Sequence, residues 1–367
     1  DLAGMSYNDT TNTLTTRIIF GTNKKPQNEF NYRNLAEPVH DLDEETYQFL
    51  ANACPKMMEQ THGEDGSLLP YFPGYKYENG KSTYRGKEVG EGGYVDAIHG
   101  MFGNVALLDV SSMHPHSTIA ECLFGVRFTT AFREIVEGRV DIKHEAWDVV
   151  DTILGGILKP YVQKVIDGEM TSKQLANALK TAINSVYGLT SANFENPFRD
   201  IRNKDNIVAK RGALFMIDLQ HAVQEKGFTV AHIKTDSIKI PDATPEIIQF
   251  VMEFGERYGY TFEHEATYDR MCLVNNAVYI AKYKDADECQ KLYGYVPDDN
   301  KKKGNQWTAT GKQFAVPYVF KTLFSNEPIV LDDMCETFSV KSALYLDMNE
   351  KLPDVTAYEK EFDKMEI

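Results

Sequence analysis

Asp109 and Asp236 lie far apart in this chain, yet each stands at the end of an apolar run of strand length. Carboxylates fixed at strand ends are what divalent-metal phosphoryl chemistry requires, because two ions must be held ~4 Å apart across an in-line displacement. Between the two aspartates, Lys173, Asn177, Lys180, Asn184 and Tyr187 recur at helical spacing. A solvated helix face is commonly a mixture of Glu and Lys, whereas this one carries two lysines, two amides and a phenol without a carboxylate. Lysines place charge against phosphate oxygens, and amide and phenol groups read sugars or base edges. Either aspartate by itself would mean little, since acidic residues close strands and open turns in many proteins. Together with the lysine face they are the equipment that nucleotidyl transfer needs.

Positioning these groups takes two strands, a hairpin and a helix. Val105-Ala-Leu-Leu108 is a continuous apolar stretch of buried-strand length, and Ser111-Ser112 mark its exit from the core. Phe228 to Ile233 reads as a second strand, Lys234-Thr-Asp-Ser237 as a tight polar tip and Ile238-Lys-Ile240 as the return strand, so the hairpin would carry Asp236 up to Asp109. Residues 171–187 predict a helix, with Thr171 and Ser172 as caps and Gly188 as its stop; Leu175, Leu179, Ala182 and Val186 form the face opposite the lysines. Thr118-x-x-Glu121 has the form of a capping box opening another helix, and the polar stretch 138–170 separates that helix from the lysine helix. Residues 206–226, closed by Gly227, predict a long helix beneath the sheet, with Leu214, Ile217 and Val223 among its apolar positions.

Asp109, Ser112 and Pro115 fit the string D-x-x-S-L-Y-P-S; Lys180, Asn184, Ser185, Tyr187 and Gly188 fit K-x-x-x-N-S-x-Y-G without a break; Thr235, Asp236 and Ser237 fit the end of Y-G-D-T-D-S. In that order they are the motifs of the B-family template-dependent DNA polymerases, which residues 85–285 resemble, in the bacteriophage type. Gly92-Gly93-Tyr-Val resembles the glycine pair that precedes the palm in that family. The resemblance implies an α+β right-hand polymerase with an antiparallel-sheet palm, a helical fingers insertion and a thumb. Residues 1–90 would be an N-terminal or connecting subdomain, 91–117 and 190–285 the palm, 118–189 the fingers and 286–367 the thumb. Asp109 and Asp236, with the backbone carbonyl of Val110, would hold two Mg2+ ions, or Mn2+ in their place. Lys180, partnered by Lys173 rather than Lys164, would hold the incoming triphosphate, helped by the amides of Ser111, Ser112 and Met113. His114, Asn184 and Tyr187 would line the nucleotide, and Gly188, Thr235, Lys282, Lys284, Lys301, Lys302 and Lys303 would touch DNA. The implied partners are primer–template DNA and a dNTP, the primer 3′-hydroxyl attacking the α-phosphate; replisome partners beyond these stay open.

Two positions depart from the family pattern. His114 stands where a tyrosine is usual; Pro115 biases it toward an extended backbone facing the sugar, and an imidazole is expected to gate a ribose less tightly than a phenol. Lys234 stands where an acid is common; the two-residue strand period puts it on the face of Asp236, a twisted tip puts it in solvent, and both readings stand. Asp43-Glu-Glu45 has the form of a proofreading exonuclease string, but it precedes Tyr47-Gln-Phe-Leu and reads as a helix N-terminus, so no exonuclease activity is expected. A template-independent or RNA-directed transferase would share the carboxylates, but the complete motif from Lys180 to Gly188 argues against it. A catalytically inactive scaffold that binds primer–template would have no use for two adjacent carboxylates.

Bulk properties set bounds. A chain of 367 residues suits two or three subdomains, and 42% hydrophobic with 25% charged residues is an ordinary globular composition. The net charge of -15 runs against nucleic-acid binding, so cations must cluster locally. Such clusters are Lys159, Lys164, Lys173 and Lys180, then Lys204, Lys210 and Arg211, then Lys282, Lys284 and Lys301-Lys-Lys303, with Trp307-Thr-Ala-Thr-Gly-Lys312 after the last. Cys54, Cys122, Cys272, Cys289 and Cys335 have neither zinc spacing nor a disulfide framework, which places the chain in a reducing cytoplasm, the host cell's for a phage protein. No apolar run approaches the ~20 residues of a membrane span and no signal peptide is visible, so no membrane association is expected. The chain begins at Asp1 and reads as a core cut from a longer protein.

Overall fold

A computed structural model describes residues 11–21, 30–39, 42–59, 62–301, 306–311, 316–324 and 326–335. In chain order the helices and strands are α1 Thr11–Phe20, α2 Glu44–Ala53, β1 Lys76–Glu78, β2 Lys81–Tyr84, β3 Lys87–Val89, β4 Val95–Ala97, β5 Gly100–Val110, α3 Met113–Ala120, α4 Gly125–Lys143, α5 Trp147–Val150, α6 Lys159–Ile166, α7 Ser172–Thr190, α8 Ile207–Glu225, β6 His232–Lys234, β7 Ser237–Pro241, α9 Pro245–Arg257, β8 Phe262–Leu273, β9 Tyr279–Tyr283, α10 Ala286–Tyr293, β10 Trp307–Ala309 and α11 Pro317–Phe324. They fall into two units, 1–311 and 312–367. In the second, Lys321 on α11 pairs with Asp333 at 2.8 Å.

The first unit is an α+β arrangement built on a seven-stranded sheet in the order β10-β9-β8-β5-β7-β6-β4, with every pair antiparallel. A separate meander, β1-β2-β3, precedes it. In the central strand, Ala106, Leu108 and Val110 join α8 and α9 residues such as Leu214, Phe215 and Val251 in the main core. Val105 and Leu107 point the other way, into a smaller cluster with Ala266, Tyr268 and Met271. The unbroken apolar run therefore has its physical reason: both faces of β5 are covered there. The helical excursion α3 to α8 leaves the sheet after β5 and returns at β6.

Several expected boundaries move. The strand read from Phe228 forms only at His232, as the three residues of β6. The lysine helix runs past Gly188 to Thr190, because Asn196 and Asn203 donate side-chain amides to the carbonyls of Leu189 and Thr190 and end it there. Its start agrees with the sequence: Thr171 caps the helix, and Thr171 and Gln174 form a reciprocal capping box. The box at Thr118 does not exist. Thr118 lies inside α3 with its hydroxyl on the carbonyl of His114, and Glu121 is buried against Arg33 and Arg211. Asp43 caps α2, with Glu44 and Glu45 in its first turn, so that acidic string is a helix start.

Candidate active site

The two aspartates meet because a hairpin tip is bonded to a strand end. Lys234 pairs with Ser237 across β6 and β7, leaving Thr235 and Asp236 as a two-residue tip. Asp109 on β5 stands in register with Ser237, and the next amide, Val110 N–H, donates to the carbonyl of Asp236 at 2.8 Å. On the far side of the tip, Thr235 N–H donates to the carbonyl of Tyr94, and Tyr94 is anchored by its hydroxyl to Gln220 on α8. Thr235 is held at φ +56°, a strained backbone for a β-branched residue, and Gly93 lies beneath it at φ +113°. A Cβ on Gly93 would stand 3.0 Å from Thr235 Cγ2, which accounts for a glycine beside the tip.

The electrostatics record the convergence. Burial first and then the Asp236 and Glu265 charges push the Asp109 carboxyl up to about 7, while Lys239 opposes them. Burial likewise raises Asp236, against the pull of His114, Lys239 and Lys234. Among the described residues no three His, Cys, Asp or Glu side chains converge as a ready-made metal cage. Two half-buried carboxylates, both raised by burial and Asp109 also by the Asp236 charge, fit a divalent cation of the magnesium kind, which takes one or two protein carboxylates and completes its shell with substrate phosphates and water.

Beyond Val110 the chain turns sharply. Ser112 adopts φ +54° and α3 begins at Met113, so the amides of Ser112 and Met113 stand at an open helix N-terminus. The Ser111 amide is committed elsewhere, donating to the carbonyl of Thr261 at 2.8 Å. His114 is helical, contrary to the extended backbone expected before proline; Pro115 sits in the first turn of α3, where its missing N–H costs no helix bond. Glu121, accepting from Arg211 Nε at 2.7 Å, and Ser117, bonded to the Tyr260 hydroxyl at 2.6 Å, fix α3 to its surroundings. Close approach to α8 is possible because Gly212 faces Met113: a Cβ there would meet the Met113 sulfur at 2.7 Å.

The lysine helix joins the aspartates through a ring stack. The rings of His114 and Tyr187 lie 4.1 Å apart and within 8° of parallel. Burial lowers the His114 imidazole, and the Asp236 charge counters that. From Tyr187 the exposed face of α7 continues through Asn184, Lys180, Asn177 and Lys173, while Leu175, Leu179, Ile183 and Val186 are buried. Asp109, Val110, Ser111, Ser112, Met113, His114, Tyr187, Thr235 and Asp236 thus form one locus, with Gly188, Asn184, Lys180 and Lys173 leading away from it. Lys234 is exposed at the tip, yet its charge is felt by Asp236, so each earlier reading holds in part.

The remaining cations sort differently. Lys282 on β9 lies over the Trp307 ring at 5.8 Å, and Lys284 approaches Glu288 at 3.7 Å; β8 separates both from β5. Lys301 ends a short 3-10 turn, and Lys302 and Lys303 lie outside the described residues. Lys210 and Arg211 are not surface cations. Lys210 is buried with its ammonium on the carbonyls of Val89 and Gly90, and Arg211 is buried against Glu121. Both lie on α8, whose first turns are buried on every side, a feature that a polar-residue count hides. Two site residues carry no sequence signal. Arg139 on α4 is buried, reaches Ser112 Oγ at 3.5 Å and has an unpartnered Nε. Lys239 is buried within the β7 register, opposite His232.

No family model matches the chain, and no curated protein matches it. Among solved structures it is similar to the family B DNA polymerase from the hyperthermophilic archaeon Pyrobaculum calidifontis, at 17% identity and a TM-score of 0.37. That match covers 64% of this chain and 31% of the archaeal one, so the chain spans about a third of that polymerase. The likeness is too low to carry a function across.

Proposed function

We propose that this chain is a template-directed DNA polymerase core of the B-family, phage-replication kind, adding deoxynucleotides to a primer 3′-hydroxyl. The observation that carries the reading is the stack of His114 on Tyr187, which joins the Asp109 motif to the Lys180–Gly188 motif beside the hairpin that brings Asp236. Three stretches distant in sequence meet at His114, Tyr187 and the Asp236 tip. Asp109 and Asp236 would hold Mg2+ or Mn2+, with the Val110 carbonyl beside them. When bound, two such ions supply a Lewis acid at the α-phosphate and favour the primer alkoxide. The chain's own part is positioning: the amides of Ser112 and Met113 and the ammonium groups of Lys180 and Lys173 take the triphosphate, and Tyr187, His114 and Asn184 hold sugar and base. In this reading 91–117 and 190–285 are palm, 118–189 fingers, 286–367 thumb and 1–90 a connecting subdomain; Lys282, Lys284 and the lysines at 301–303 meet duplex DNA, in the cytoplasm of a host cell.

The test is extension of a labelled primer with Mg2+ and four dNTPs, beside Asp109→Asn and Asp236→Asn. Extension that follows the template and falls at least a thousandfold in both variants is the expected result, as loss of an ion clamp removes several kcal/mol of transition-state stabilisation, about 4 or more. Extension without a template would make it a terminal transferase, and primer–template binding with no extension would make it a scaffold.

A further inference from the structure

Lys239 occupies an unusual place for a charged side chain. It lies in the interior of β7, 3% exposed, on the same face of the sheet as Asp109. In register it pairs with Leu107, so Asp109 is its diagonal neighbour across β5, a separation of roughly 7–8 Å that a lysine side chain spans. Its ammonium donates to His232 Nδ1 at 3.2 Å and sits 4.9 Å from the centre of the Tyr279 ring. His232 Nε2 in turn lies 3.0 Å from the carbonyl of Asn276. These contacts are satisfied together by a neutral imidazole, protonated on Nε2, and a protonated lysine. Burial and the Lys234 charge pull the ammonium down to about 8, and Asp109, Glu265 and Asp236 hold it up. Among the described residues no direct ion pair joins it to a carboxylate, so its charge is held by a histidine and a ring just behind two aspartates.

We infer that Lys239 is a built-in counter-cation of the Asp109–Asp236 pair, a positioning residue that keeps the pair assembled while metal-free and disfavours divalent-ion binding until a nucleotide triphosphate arrives. The inference rests on reading the two aspartates as ion ligands. Without a cation nearby, two half-buried carboxylates repel and splay the strand end from the hairpin tip. A fixed positive charge offsets that repulsion and also repels an incoming Mg2+ or Mn2+. A triphosphate restores the negative balance, so ion and nucleotide bind cooperatively.

The experiment is a titration of Mn2+, followed by the loss of its free-ion spin-resonance signal, on the full chain with and without a non-hydrolysable dNTP. Parent, Lys239→Met, Lys239→Gln and Lys239→Arg are compared, with Asp109→Asn/Asp236→Asn as the ligand control. Gln keeps a donor for His232 without the charge, Met removes both, and Arg keeps the charge. Nucleotide-free Mn2+ affinity should rise about tenfold in both Met and Gln, since a divalent ion feels the lost charge twice as strongly as one competing proton, and should stay at the parent value in Arg. The enhancement of Mn2+ affinity by nucleotide should shrink in Met and Gln, and linkage requires the enhancement of nucleotide affinity by Mn2+ to shrink by the same factor. Unchanged or weakened binding in Gln, with parent-like binding lost only in the aspartate control, would overturn the role of Lys239 and leave the ion site standing. Binding that the aspartate control does not reduce would overturn both.

Discussion

With burial and the Asp236 charge acting on it, the Asp109 carboxyl titrates near 7, so its ionised form destabilises the metal-free fold. The sign follows from comparing folded and unfolded chains. Below the ordinary value of 3.8 the group is protonated in both and contributes nothing; between there and about 7 the unfolded chain ionises first, and the penalty grows; above 7 it is complete. A shift of that size is roughly 4 kcal/mol at most, and about 1–2 kcal/mol after allowing for the solvent that still reaches a half-buried group. Asp109→Asn should therefore unfold at higher urea than the parent near pH 8 in chelator, with the gain vanishing near pH 4, while losing extension. Equal midpoints at pH 8 would mean that the site is wetter than its burial implies. The aspartates and the lysine face were legible in the sequence because residue type and spacing alone define them. Arg139 and Lys239 were not, because no periodicity marks a cation whose value lies in what the fold places opposite it.

At the scale of elements, the hairpin tip carries the strain. Thr235 is forced to φ +56°, and three contacts hold it there: the Tyr94 carbonyl, the Val110 amide on Asp236, and the space left by Gly93. Gly93→Ala adds a Cβ at φ +113° against Thr235, and should cost about 1–3 kcal/mol in urea unfolding. Because Asp236 is the next residue, extension should fall further than the lost stability accounts for in assays run well below the midpoint. Gly90→Ala is the control: its Cβ would lie at an ordinary 3.7 Å from the Gly93 carbonyl, and it should change neither by much. A Gly93→Ala enzyme with parental extension would detach the strained tip from catalysis. The same elements mark how far the sequence could be read. The hairpin and the polar face of α7 follow from periods of two and 3.6, whereas α3 was missed since the bias of a residue before proline outweighed the tolerance of a first helical turn for proline. The end of α7 was misplaced for a related reason: Gly188 is exposed and permits a stop, but the asparagines that impose one come from the following loop.

For the whole molecule, a net charge of -15 makes DNA binding a matter of where the cations point. The sequence offered Lys210 and Arg211 as candidates, and the fold turns both inward, onto the Val89 and Gly90 carbonyls and onto Glu121. Lys282 on β9 and Lys284 just after it remain: Lys284 lies 3.7 Å from Glu288, and Lys282 extends over the Trp307 ring. Counterion release turns this into slopes. If Lys282 meets a phosphate, Lys282→Gln should lower the slope of log K against log salt by about 0.9 for primer–template binding. Lys284→Gln should lower it by a similar amount if its ammonium also meets a phosphate. Lys210→Gln should leave the slope unchanged and instead destabilise the fold by about 1–3 kcal/mol, since the buried Val89 carbonyl and its neighbour on Gly90 lose their charged donor. A slope that moves with Lys210 and not with Lys282 would put the DNA path on α8, against a helix whose first turns are closed to solvent on every side.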